Sequence, residues 1–126
     1  MSVIFIPVKE TRSKLNKLSQ IAQKHLLDKT PLLFLVADQS SFDFIDKLLW
    51  TTPAESFLPH PTHLLSIGFA VKANFPSVFN LQPKPITENV KIIFEFEDHT
   101  SPEKLQLSEQ KYQYYRDHNF PIVMDT

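Results

Sequence analysis

Two short apolar runs, Val3–Ile6 and Leu32–Ala37, constrain this chain more than any other feature, because an amphipathic stretch of helical length separates them. Each run lacks polar alternation, as a strand buried on both faces does. Between them Leu15, Leu18, Ile21, Ala22, His25 and Leu26 recur at helical spacing and make one apolar stripe. Two doubly buried strands joined through a helix require a right-handed parallel crossover. Thr11 or Ser13 is placed to cap the first helix. A second helix, opened by a capping-box pattern at Ser40-x-x-Asp43, carries Phe42, Ile45, Leu48 and Leu49 and ends near Trp50.

Beyond Trp50 the character changes. Pro53, Pro59 and Pro61 break up the stretch to His63, which reads as an extended ordered loop. Leu64–Val71 is a third strand, Ser77–Leu81 a short fourth, and Lys91–Glu97 a fifth. The fifth alternates, with Phe94 and Phe96 on one face and Ile93, Glu95 and Glu97 on the other, a pattern suited to a half-exposed outer position. Ser101-Pro102-Glu103 combines a capping Ser, Pro at the first helical position and an acid in the first turn. The helix it opens runs to about Asn119, and the last residues add a short strand. No repeat or linker interrupts the chain. The expected fold is therefore a single α/β layer fold over residues 1–126, with a mostly parallel central sheet flanked by helices.

Several function classes fall away on composition. The chain has a single glycine, Gly68. Loops that wrap phosphates need glycines, since the backbone must adopt positive φ and approach the ligand without a Cβ in the way. Neither common nucleotide-binding fingerprint can be written with one glycine. With 0 cysteines, disulfides and thiolate chemistry are excluded, and a reducing cytoplasm is the natural location. A net charge of −1 provides no global attraction to nucleic acid. No stretch is long and apolar enough to span a membrane.

Few individual residues have the neighbours that chemistry needs. His60 and His63 lie between prolines without a nearby acid or thiol, so a loop role outweighs a metal site. Glu95 and Glu97 share a strand face at a separation of roughly 7 Å. On an outer strand they would serve to blunt the edge rather than act as an acid/base pair. The serines fall in caps and loops, away from any nucleophile elbow. No catalytic residue, cofactor or metal is expected.

The positive signal is aromatic. Eleven Phe, three Tyr and one Trp exceed what a core of this size needs. On the last helix Glu109, Tyr112, Gln113 and Arg116 share a face, while Lys104, Lys111 and Tyr114 share another. An aromatic ring beside Arg or Lys suits a short acidic peptide with an apolar end.

Two blocks carry a family resemblance. Leu48–His60 is similar to the pattern of the chi subunit of bacterial DNA polymerase III, in which a helix ending in Leu-Trp runs into a proline-rich Ser-Phe and Pro-His loop. Lys111–Ile122 resembles that family's aromatic and basic helix with its following turn, Asn119 standing where Gly is usual. The resemblance implies a Rossmann-like, three-layer α/β fold and a non-catalytic accessory subunit that links the clamp loader to single-stranded DNA-binding protein by gripping its acidic C-terminal tail. By position, the tail site falls on Glu109, Lys111, Tyr112, Gln113 and Arg116. A surface for the psi subunit or another clamp-loader subunit falls on Trp50, Phe57, Pro59 and His60. Nucleic acid would be met only indirectly, through these partners. Glu109 and Gln113 depart from the family's more basic face. The alternatives are direct binding of single-stranded nucleic acid, or a nucleotide-dependent enzyme on a degenerate fold.

Overall fold

The computed structural model describes residues 2–51 and 64–125, apart from the side chains of Trp50 and Thr51. The elements run β1 (Ser2–Val8), α1 (Thr11–Asp28), β2 (Leu32–Leu35), α2 (Gln39–Thr51), β3 (Leu65–Gly68), β4 (Ser77–Asn80), β5 (Ile92–Asp98), α3 (Pro102–Asp117) and β6 (Ile122–Met124). The strands form one sheet in the order β3-β2-β4-β5-β1-β6. Every pairing is parallel, so the expected mostly parallel sheet is wholly so.

The period-2 alternation of each strand divides the core in two. Ile6, Val8, Leu32, Phe34, Phe79 and Phe96 face α1 and α2, meeting Leu18, Ala22 and Leu26 of the first helix and Ile45 and Leu49 of the second. Val3, Phe5, Leu33, Leu35, Val78 and Ile93 face the other way, onto Tyr115 of α3 and onto Phe75, Ile86 and Val90. This is the three-layer, Rossmann-like arrangement. Most of the expected strands are a residue or more off at their ends; the third shrinks from Leu64–Val71 to Leu65–Gly68.

Two expected caps are replaced. α1 begins after Glu10, whose side chain makes no capping bond, so neither Thr11 nor Ser13 caps it. At α2 the capping oxygen belongs to Asp38, which accepts from the Ser41 amide at 2.8 Å, rather than to Ser40. That bond lowers the Asp38 pKa from its ordinary value. The α3 start is as expected: Ser101 accepts from the Lys104 amide, with Pro102 at the first helical position.

The largest correction concerns β5. It lies between β4 and β1 in the sheet interior, not at an outer position. Register pairs Phe5 of β1 with Glu95 of β5 on one side and with Met124 of β6 on the other. All three side chains therefore point to the α3 face, and Glu95 is fully buried rather than facing solvent.

Candidate functional site

Glu95 stands under α3 with both carboxylate oxygens engaged. Lys111 donates its ammonium to Oε1 at 2.9 Å. Oε2 accepts from the Tyr115 hydroxyl at 2.6 Å and from the Asn80 amide at 2.7 Å. The phenol oxygen in turn accepts the Ile86 backbone amide at 2.9 Å, and Asn80 also donates to the Lys84 carbonyl. Lys111 and Tyr115 are four residues apart and hence on one side of the helix. Burial pushes the Glu95 carboxyl above its ordinary range, against the pull of Lys111, Tyr115 and Asn80. Burial and the adjacent Glu95 charge drive the Tyr115 phenol far up, so it stays a donor.

A second ion pair lies three residues further along β5, at Asp98. Lys14 of α1 donates to Asp98 Oδ2 at 2.7 Å, while Thr100 donates to Oδ1 through both its amide and its hydroxyl. Although burial acts to raise the Asp98 pKa, these hydrogen bonds win and hold it below the ordinary value. Ser108 of α3 accepts the Asp98 amide at 3.0 Å and donates to the Phe96 carbonyl, tying helix to strand end. Lys14, Asp98 and Lys111 border a cleft of about 600 Å³ at the carboxyl ends of β2, β4 and β5, with Phe44 and Leu107 also on its walls. The connection from β1 to α1, where a phosphate loop would sit in a nucleotide-binding fold, is Lys9-Glu10 and contains no glycine. Gly68, at the end of β3, has no positive φ.

The outward side of α3 holds the other expected residues. Glu109, Tyr112, Gln113 and Arg116 are all exposed. The Tyr112 ring stands edge-on to Phe5 at 5.5 Å between centroids and keeps 38% of its surface open. It is thus braced from below and available from above; Met124, also exposed, is the register partner of Phe5 on β6. The Gln113 amide donates to Asp117 at 2.8 Å. Lys111 does not join this face: it is buried, with its ammonium committed to Glu95. Tyr114 stacks on His118 at 4.0 Å.

Phe57, Pro59 and His60 lie outside the described residues, as do His63 and the side chain of Trp50, so the second expected surface has no geometry to report. Among the described residues, no group of three or more His, Asp or Glu could hold a metal ion. The Glu95 cluster was missed by sequence reading because β5 was placed outside. The signal available was an acid on the same strand face as Ile93, opposed by the Lys111 and Tyr115 pair four residues apart.

Taken together these features define a three-layer parallel α/β protein whose last helix presents Tyr112 and Arg116 outward over a buried charge cluster. The family described as DNA polymerase III chi subunit, HolC, matches residues 1–123. The chain belongs to that family, and with it to the accessory subunits of the replicative polymerase. No individual curated protein matches it significantly. No helix of the described residues is long and apolar enough to cross a membrane.

Proposed function

We propose that this protein links the clamp loader to single-stranded DNA-binding protein, receiving the latter's acidic C-terminal tail on the outward face of α3. The observation that carries the reading is the Tyr112 ring, exposed at the surface yet braced by Phe5, with Arg116 one turn further along. A supported aromatic ring costs little ordering entropy when an apolar side chain docks on it. An arginine beside it can pair with a terminal carboxylate in two parallel hydrogen bonds. Glu109 on the same face repels an acidic tail, so binding rests on Tyr112 and Arg116 rather than on a broad basic surface. The Trp50, Phe57, Pro59 and His60 segment then serves psi or another clamp-loader subunit. In this reading the protein works in the cytoplasm, catalyses nothing and uses no cofactor.

The test is titration with the C-terminal peptide of the organism's own single-stranded DNA-binding protein, at low and moderate salt. Micromolar binding that weakens with salt and is lost in Tyr112→Ala and Arg116→Ala supports the reading. Absence of binding at low salt removes it. Salt-steep binding of single-stranded DNA in its place would favour the direct nucleic-acid reading.

A further inference from the structure

We propose that Glu95 is a positioning residue for the partner face of α3: through Lys111 and Tyr115 it fixes the helix's rotation, and with it the direction of Tyr112 and Arg116. The inference rests on the reading of that face as the partner surface, and it concerns groups that never touch the partner. Tyr112 and Arg116 each follow one of the two gripping residues, about 100° further round the helix. Any rotation of α3 that moves Lys111 and Tyr115 off Glu95 therefore swings the two outward side chains by the same angle.

The grip is specific in a way that apolar packing is not. One helix residue holds Oε1 and the other holds Oε2, at 2.9 Å and 2.6 Å. The acid is also fixed from the sheet side, by Asn80 of β4, and the phenol is fixed by the Ile86 amide. A buried ion pair is seldom more stabilising than apolar side chains of equal volume, because both charges must be desolvated. What such a cluster adds is one arrangement among several that packing alone would tolerate. The buried pair thus acts on the geometry of the outer face.

The experiment compares wild type, the double variant Glu95→Gln with Lys111→Met, and Tyr115→Phe. In the double variant the new amide still offers an oxygen to Tyr115 and Asn80, and no charge is stranded. Three readouts are taken: melting temperature, the nuclear Overhauser contact between the Phe5 and Tyr112 rings, and titration with the tail peptide. The proposal expects the double variant to melt near wild type while the ring contact weakens. Peptide affinity falls roughly tenfold, the cost of ordering two side chains on binding that wild type holds ready. Tyr115→Phe weakens contact and affinity without disturbing charge, and it alone decides should the double variant not fold. Retention of both contact and affinity in the folded variants overturns the proposal. So does affinity that merely tracks melting temperature across the set. If wild type binds no peptide but the variants still lose the ring contact, the partner reading fails and the positioning role stands.

Discussion

The Lys111 ammonium and the Glu95 carboxylate are each left uncompensated in the interior if the other is removed. Glu95→Gln alone, or Lys111→Met alone, should therefore cost about 3–5 kcal/mol, far more than the double change; a double-mutant cycle by urea denaturation measures the coupling. Asp98 makes a different prediction, in pH. Its folded pKa lies below the ordinary 3.8. Above that value its contribution is fully present. As pH falls through the depressed folded value the native state must take up a proton it resists, and the contribution is lost. Asp98→Asn should flatten the fall in stability between about pH 5 and pH 2, read from denaturation midpoints. Glu95 has the opposite sign: with its folded pKa raised, acidification below that value relieves a burden on the native state. The two acids, three residues apart on one strand, each accept three hydrogen bonds. They respond to acid in opposite ways because Glu95 is wholly sealed from water and Asp98 is not.

At the scale of elements, both ends of the helices carry testable chemistry. Lys29 closes α1 in the left-handed region, at φ 56, where a Cβ is strained. Lys29→Gly should stabilise the protein by about 0.5–1 kcal/mol, seen as a raised melting temperature. Ser101→Ala should destabilise by about 1 kcal/mol, since the Lys104 amide loses its acceptor. Local patterns were the legible part of this fold. The doubly buried runs in β1 and β2, the stripe of α1 and the Ser-Pro-Glu start of α3 all depend on near neighbours in sequence. Asn119, standing where the resembling family usually has Gly, adopts a left-handed backbone with φ 61. The position of β5 was not legible, because it depends on β1 inserting between β5 and β6. Alternation of Phe and Glu looks the same at a sheet edge and over a buried lysine. Only the distant Lys111 and Tyr115 tell the two apart.

In the whole molecule, the sheet has two unequal regions. Among the described residues, β6 pairs with β1 alone and leaves Val123 and Met124 exposed, and β3 pairs with β2 alone. Amide hydrogen exchange should be slowest in β1, β5, β4 and β2 and faster in β6 and β3, where one side of the ladder is open. Of the expected tail residues, Tyr112, Gln113, Arg116 and Glu109 were readable as one helix face from spacing alone. Lys111 was not, since its length and charge suit either water or a buried acid, and the choice was made by a strand still 16 residues away in sequence.

The strand order also sets a clock for biosynthesis. β1 is made first, yet both of its neighbours, β5 and β6, are made last. At bacterial rates of about 5–20 residues per second, Ser2 waits roughly 5–18 seconds on the ribosome for Ile92, its register partner. Throughout that interval Val3, Phe5 and Ile6 have no strand beside them. A nascent chain of this protein is therefore an early client for whatever shields apolar segments at the ribosome, and its N-terminal strand completes its pairing only when the last residues of the fold arrive.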